Sequence, residues 1–268
     1  MNIEEMIETL KPDEVWNFAV KFFAPDIKDA FDSIQRVLCI QPHPDDTDIA
    51  AGGTIAKLAK KGVTIIYITL TDGRLGTVDP KMWPEKLAAL RRKEQEEAAR
   101  VLGVKELIWL NYRDTELLPT LEVRWELIRL IRKYKPDMIM TPDPWLTYEA
   151  HPDHRATGLL AAEAAYFSPL PHSLPGGLEE GLSPYGPRYI AFYWTRKPNT
   201  FVDVTDYIDA KLKAVISHKT QMSNSPVFEQ LLRAYMRVMG KLANYKYAEA
   251  FKVLTPQHLH SNEFTEDI

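Results

Sequence analysis

One stretch of this 268-residue chain decides its expected fold: Arg36-Val-Leu-Cys-Ile-Gln-Pro-His-Pro-Asp-Asp46. Its first six residues are mainly apolar and end at Pro42, as expected for a short strand buried on both faces. A helix is predicted over residues 52–61, ended by Gly62, and a second strand over residues 63–69. Strand, helix and strand in this order form the unit from which parallel sheets are built.

The same alternation continues along the chain. A helix is predicted over residues 87–102, with Gly103 to end it, and another over residues 121–134. Strands are predicted after them, at residues 107–110 and 137–141. This alternation predicts a Rossmann-like three-layer α/β fold, with a mostly parallel sheet and helices on both faces.

The flanking segments are assigned to the same domain, so that a single domain is expected over residues 1–268. Residues 1–34 carry apolar side chains at helical spacing and are predicted to form one or two leading helices, interrupted at Pro25. Residues 168–187 hold five prolines and four glycines, which predicts a long surface loop of the kind that often binds ligands. After a further strand at residues 189–194, residues 203–268 are predicted to be mainly helical.

Composition and charge limit the classes of function. Lys and Arg number 33 against 37 Asp and Glu, and the net charge of −4 disfavours nucleic acid and anionic membranes as partners. Cys39 is the single cysteine, so an internal disulfide and a thiolate metal cluster are both excluded, and its apolar neighbours favour an inert core position. Residues 1–11 lack the features of a signal peptide, and the longest apolar run is short of a membrane span. We therefore expect a cytoplasmic protein.

Two histidine-containing clusters follow predicted strands. His43-Pro-Asp-Asp46 follows the first strand and His151-Pro-Asp-His154 follows the fourth, so both are expected at the edge where parallel strands end. Two imidazoles and a carboxylate form a three-ligand site with an open position, which is typical of catalytic zinc. Imidazole also suits zinc better than magnesium. One carboxylate of the first cluster could bind the ion while its neighbour addresses a water molecule.

A simpler interpretation exists for each cluster alone. Asp46 or Asp48 could cap the helix after the first strand, and Asp153 could cap a helix beginning near Arg155. The presence of both clusters at the ends of parallel strands favours a functional site. The dinucleotide fingerprint, the P-loop and the G-x-S-x-G and C-x-x-C motifs are all missing from the sequence, which disfavours nucleotide binding.

The run His43-Pro-Asp-Asp-Thr-Asp-Ile-Ala-Ala-Gly-Gly53 resembles the signature of zinc-dependent N-acetylglucosaminyl de-N-acetylases, the PIG-L and LmbE-like family. Residues 71–76, Arg91 with Glu94, and the second cluster also match, so that the resemblance covers about residues 36–165. The remaining segments and the length are most similar to the diacetylchitobiose deacetylase branch.

The resemblance implies a role for particular residues. The zinc ligands would be His43, Asp46 and His154. Asp45 would be the general base, and His151 would stabilise the oxyanion or protonate the leaving amine.

Arg91 and Asp114 match residues that hold the sugar or orient the catalytic groups. From the chemistry, Asp114 or another carboxylate is expected to hold the imidazole of the catalytic histidine. Two positions depart from the family pattern. Thr47 stands where the family often has Glu, and Glu149, next to Tyr148, stands where some members have Tyr.

The implied activity is zinc-dependent hydrolysis of the N-acetyl group of N-acetylglucosamine (GlcNAc) units, on N,N'-diacetylchitobiose or GlcNAc, with release of acetate. A homo-oligomer, a trimer or a hexamer, is implied as well. One alternative is a deacetylase of another GlcNAc conjugate, such as a thiol-cofactor precursor or a glycosyl lipid. Another is a non-catalytic module that binds metal or sugar, which would not need Asp45.

Overall fold

The protein, described by a computed structural model over residues 2–24, 26–27, 29–222 and 227–268, has a seven-stranded sheet with the order β3-β2-β1-β4-β5-β7-β6. The strands are β1 Arg36–Gln41, β2 Thr64–Thr71, β3 Glu106–Tyr112, β4 Met138–Pro142, β5 Tyr189–Tyr193, β6 Thr200–Asp203 and β7 Ala248–Leu254. Strands β1 to β5 pair in parallel, whereas β7 is antiparallel to both β5 and β6. The predicted fold class is confirmed.

The helices of the described residues cover both faces of the sheet. They are α1 Ile3–Glu8, α2 Pro12–Phe23, α3 Asp46–Lys60, α4 Pro84–Leu102, α5 Leu121–Tyr134, α6 Pro152–Phe167, α7 Ile208–Ser217, α8 Lys219–Met222 and α9 Phe228–Leu242. Short 3-10 turns lie at Pro171–Ser173, Thr205–Tyr207 and Pro256–Leu259. None of these helices is both long and apolar enough to cross a membrane.

Alternate side chains of β1 enter two separate apolar layers. Val37 and Cys39 pack into the layer shared with α3, α4 and α7, and Leu38 and Ile40 into the layer shared with α5 and α6. All four side chains are completely buried, and burial raises the pKa of the Cys39 thiol. The expected inert core position of Cys39 is therefore confirmed.

Helix α3 lies unusually close to helix α7 and to the segment that follows β6. A Cβ atom at Gly53 would come within 2.8 Å of the Val204 side chain, and one at Gly52 within 3.1 Å of Lys211. These glycines therefore allow the close packing that fixes the start of α3, where the first cluster lies.

The prediction of a mainly helical segment over residues 203–268 is wrong for β7. Alanine, glutamate and lysine are poor strand formers, and β7 contains all three. Its pairing with β5 and β6 and the burial of its charges decide the structure, since Glu249 forms a buried ion pair with Lys211. The leading helices also end earlier than expected, at Phe23, and the described residues from 24 to 34 are not helical.

Residues 168–187 form a long loop that contains only one 3-10 turn. The guanidinium group of Arg132, on α5, binds the backbone of this loop. It donates hydrogen bonds to the carbonyl oxygens of Ser168 and Leu170, at 3.0 and 2.6 Å.

Candidate metal centre

The two histidine clusters meet at one edge of the sheet, as the sequence predicts. The first lies between β1 and α3, and the second between β4 and α6, at the carboxyl ends of neighbouring parallel strands. A cavity of about 340 Å³ opens there. It is lined by His43, Asp45, Asp46, Ile49, Leu75, Gly76, Arg91, Asp114, Thr115, His151 and Gln221.

The three predicted metal ligands surround one point. Nδ1 of His43 lies 3.2 Å from Oδ2 of Asp46, and Nε2 of His154 lies 3.5 Å from Oδ1 of the same carboxylate. Ligands of a tetrahedral zinc ion with bonds of 2.0–2.2 Å are separated by roughly 3.3–3.6 Å. These side chains therefore fit a divalent ion that takes nitrogen and oxygen ligands.

The charges of these side chains also suit a cation. Burial opposes the charged form of Asp46, but the neighbouring imidazoles of His154 and His43 outweigh this effect and lower its pKa to about 2. Asp46 is therefore an anion throughout the neutral range. A buried anion between two imidazoles favours metal binding.

Further carboxylates lie behind the two imidazoles. Nε2 of His43 lies 3.2 Å from Asp114 and 3.1 Å from Asp153, and Nδ1 of His154 lies 3.1 Å from Glu149. Such partners orient metal-bound histidines and strengthen them as ligands. Burial disfavours the imidazolium form of His43, but its carboxylate neighbours outweigh burial and raise its pKa well above the usual value.

The positions of Asp153 and Glu149 are ones that the sequence reasoning missed. The sequence suggests Asp153 only as a helix cap, and Glu149 only as a departure from the family pattern. The available signal was their spacing, because both lie within five residues of His154. Thr47, the other position that departs from the family pattern, has a buried hydroxyl without a hydrogen bond. Tyr148, next to Glu149, is 95% exposed.

Asp45 has an uncommon backbone conformation, with φ of 113°. Its carboxylate lines the cavity and forms an ion pair with Nη2 of Arg91 at 3.1 Å. Burial raises the pKa of Asp45, and Arg91 opposes this effect. A carboxylate with a raised pKa is a better proton acceptor near neutral pH than an exposed one.

Arg91 is buried, although it lies on a helix whose neighbouring arginine, Arg92, is exposed. Besides Asp45, its guanidinium group binds the carbonyl oxygens of Pro44, at 2.7 Å, and Gly73, at 2.9 Å. These contacts are all with protein groups. Of the two roles that the resemblance implies, holding the sugar or orienting the catalytic groups, they favour the second.

His151 lies next to both histidine ligands. Its ring is centred 4.5 Å from that of His43 and 5.0 Å from that of His154. Nδ1 accepts a hydrogen bond from the backbone of Asp153, which leaves Nε2 free, 3.8 Å from Asp114. Burial and the two neighbouring imidazoles lower the pKa of His151.

Asp114 is closer to His43 than to the catalytic candidate His151. Its Oδ1 is 3.2 Å from His43 and 3.8 Å from His151, and its Oδ2 accepts a hydrogen bond from the backbone of Leu75. Burial opposes ionisation, but the hydrogen bond from His43 helps lower the pKa of Asp114 to about 2. Asp114 thus links the imidazoles to the loop that follows β2.

The geometry also permits a second ion position. His43, Asp114, His151 and Asp153 form another group whose ligand atoms lie within 4.8 Å of one another. This group uses the Nε2 side of His43, whereas Asp46 faces Nδ1. The two positions are therefore on opposite edges of one imidazole and can be distinguished experimentally.

Comparison with known proteins shows what this centre is similar to. Residues 38–165, which hold both clusters, match the family model described as PIG-L: GlcNAc-PI de-N-acetylase. A diacetylchitobiose deacetylase of Thermococcus kodakarensis is 41% identical over 244 residues, which are 90% of this chain and 91% of that protein. The chain belongs to the PIG-L family.

This PIG-L family member also resembles a solved structure over its whole length. The N,N'-diacetylchitobiose deacetylase from Pyrococcus horikoshii, complexed with its inhibitor MPG, matches with a TM-score of 0.88 and 43% identity, covering 100% of this chain and 98% of that chain. A probable N-acetyl-alpha-D-glucosaminyl L-malate deacetylase 2 of Bacillus anthracis is 30% identical over 203 residues, 70% of this chain and 82% of that protein. The predictions of this family and of a de-N-acetylase are confirmed.

A larger cavity, of about 460 Å³, lies apart from the metal centre. Trp145, an aromatic side chain of a type that can stack on sugar rings, lines it and is 56% exposed. The residues lining the two cavities do not overlap, so Trp145 is not part of the wall around His43.

Proposed function

We propose that this protein hydrolyses the N-acetyl group of GlcNAc units, with N,N'-diacetylchitobiose or GlcNAc as substrate, and releases acetate with the help of Zn²⁺. One observation carries the proposal: the ligand atoms of His43, Asp46 and His154 converge beside the carboxylate of Asp45. The similarity to the two diacetylchitobiose deacetylases supports this substrate class.

His43, Asp46 and His154 would hold the zinc ion. Their two nitrogens and one oxygen are ligands that zinc accepts, and three protein ligands leave a position open for catalysis. When bound, zinc supplies an activated water molecule near neutral pH and polarises the carbonyl group of the amide. Asp114, Asp153 and Glu149 hold the two imidazoles in the required orientation.

Asp45 accepts the proton of the attacking water. It lines the cavity next to Asp46, and its ion pair with Arg91 fixes the direction of the carboxylate. A general base of this kind contributes about 10²–10⁴-fold to the rate.

His151 acts on the other side of the amide. Because its Nδ1 is occupied by the backbone of Asp153, Nε2 is the atom that faces Asp114 and is free to reach the substrate. From there the neutral imidazole donates a hydrogen bond to the developing oxyanion, or, in its imidazolium form, a proton to the leaving nitrogen. Asp114 orients this side of the site through its contacts with His43 and Leu75.

A second candidate substrate has specific support. The similarity to the Bacillus anthracis protein, a probable deacetylase of N-acetylglucosaminyl malate, favours a GlcNAc conjugate with another aglycone. The non-catalytic alternative has less support, because such a module would not need a buried ion pair between Asp45 and Arg91.

Acetate release from a small panel of compounds tests the proposal. GlcNAc, N,N'-diacetylchitobiose and GlcNAc-malate are compared, each with and without a chelator. We expect release from the first two compounds, loss of activity with the chelator and recovery with added Zn²⁺. Preference for GlcNAc-malate would support the second candidate, and zinc binding without any acetate release would support the non-catalytic module.

We further propose that the protein works in the cytoplasm as a homo-oligomer, a trimer or a hexamer. The outer face of α9 supports self-association, since Leu231, Tyr235, Val238 and Leu242 are exposed there at helical spacing. Light scattering after gel filtration measures the mass in solution. A mass close to 30.8 kDa would contradict the oligomer.

A further inference from the structure

Helix α4 holds both polar groups of the peptide bond between Pro44 and Asp45. Nη2 of Arg91 donates to the Pro44 carbonyl oxygen at 2.7 Å, and the N–H of Asp45 donates to Oε1 of Gln95 at 2.9 Å. Residues 91 and 95 are one turn apart on the same face of α4. The helix therefore fixes the orientation of the entire peptide plane.

The conformation of Asp45 makes this fixation necessary. Its φ of 113° lies in the left-handed region, which residues with a Cβ atom avoid unless their surroundings impose it. The carboxylate of Asp45 makes no capping hydrogen bond at the start of α3. The restraint on the backbone must therefore come from neighbouring groups, and Gln95 is the partner of its N–H.

Gln95 is itself held firmly in place. Its Oε1 also accepts a hydrogen bond from Nε2 of Gln41 at 3.0 Å, and its own Nε2 donates to Asp48 at 2.8 Å. Asp48 is held in turn by Tyr67, at 2.9 Å, and His218, at 2.8 Å. These side chains are fully buried, so the amide of Gln95 has one orientation, with its oxygen toward Asp45.

We propose that Gln95 is a positioning residue for the general base Asp45. The proposal rests on the proposed hydrolysis and adds a residue to which neither the sequence nor the resemblance assigns a role. Gln95 does not line the cavity and belongs to neither group of candidate metal ligands. It acts on the reaction through the backbone of Asp45, which it keeps in the conformation that directs the carboxylate into the cavity.

Removing the amide should affect turnover rather than binding. In Gln95→Met the Asp45 N–H loses its acceptor, and the carboxylate can leave its position beside Arg91. We expect kcat to fall about 10–100-fold, the size of loss seen when the outer hydrogen-bond partners of a metal site are removed. KM should stay within about twofold, and zinc should stay near one equivalent, since neither substrate nor metal contacts are removed.

A double-mutant cycle with Asp45→Asn separates positioning from a general structural effect. If Gln95 acts through Asp45, then Gln95→Met should reduce the residual kcat of Asp45→Asn by less than about twofold. Leu127→Ala is the control, because Leu127 is fully buried on α5, in the apolar layer on the opposite face of the sheet. It should lower the Tm and leave kcat unchanged.

Gln95→Glu provides a second variant if Gln95→Met does not fold. It keeps an oxygen acceptor for Asp45 and brings a second carboxyl group against Asp48, with which it would share a proton. It should therefore retain more of kcat than Gln95→Met. An equal fold-loss in the wild-type and Asp45→Asn backgrounds would overturn the positioning role, and so would an unchanged kcat in both variants. Wild-type protein that releases no acetate would instead refute the proposed function, so the two failures are distinguishable.

Discussion

The tripeptide His-Pro-Asp occurs twice in this protein, and its two copies are used in opposite ways. In the first copy, His43 faces Asp46 as a candidate metal ligand, and Asp45 lines the cavity as the candidate base. In the second copy, His151 lines the cavity, and Asp153 is buried behind the site, 3.1 Å from Nε2 of His43. The candidate acid or base is thus the aspartate in the first copy and the histidine in the second.

The difference arises from the backbone and not from composition. Asp45 precedes α3 in a left-handed conformation, whereas Asp153 is the second residue of α6. His151 caps α6 by accepting the N–H of Asp153, and the Asp153 carboxylate contacts Nε2 of His43 and the backbone N–H of Thr115. Identical short motifs can therefore have different chemical roles, and the following predictions test this contrast.

Removing each histidine should have the largest and most different effects. His43→Ala should lose both the metal and all measurable activity, since it removes one of three ligands. His151→Ala should keep about one equivalent of zinc while kcat falls about 10²–10⁴-fold, the usual contribution of an acid or base. Metal analysis of the purified variants, combined with the acetate assay, measures both effects. Zinc loss in His151→Ala would contradict the different roles of the two histidines.

Replacing the aspartate of each His-Pro-Asp copy by asparagine should also have different effects in the two copies. Asp45→Asn should retain zinc and lose about 10²–10⁴-fold in kcat. Asp153→Asn should instead weaken zinc affinity about 10–100-fold, because it removes a carboxylate partner of His43. Competition with a zinc-binding dye measures the affinity, and normal turnover in Asp45→Asn would end its assignment as the base.

The pH dependence of metal binding should be a smaller effect. Because carboxylates raise the pKa of His43, a proton competes with the metal at this imidazole in the metal-free protein. Zinc affinity should therefore fall as the pH falls below that raised pKa, by about tenfold per pH unit for one displaced proton. In Asp153→Asn the pKa of His43 is less raised, and the fall should begin at lower pH; titrations at several pH values compare the two proteins.

The smallest effect is expected at Tyr148. This side chain is 95% exposed and does not line the metal cavity, so Tyr148→Phe should leave kcat/KM unchanged within about twofold. The acetate assay measures this value. A loss of more than tenfold would mean that Tyr148 moves into the site when substrate binds.

The fold and the convergence of the two histidine clusters are predictable from the sequence for physical reasons. Apolar runs such as the one in β1 indicate buried strands, and the rule that parallel strands end at one edge brings His43 and His154 together. Strand β7 is not predictable in this way, since the burial of Glu249 depends on Lys211, which is distant in sequence. The roles of Asp153 and Gln95 likewise depend on distant contacts, with His43 and with the backbone of Asp45.

The central claim is that one ion binds on the Nδ1 side of His43. Anomalous scattering at the zinc edge from crystals of the zinc-loaded protein locates that ion directly. The account predicts a single peak at about 2.0–2.2 Å from Nδ1 of His43, an oxygen of Asp46 and Nε2 of His154. A peak on the Nε2 side of His43, between Asp114 and Asp153, would contradict it.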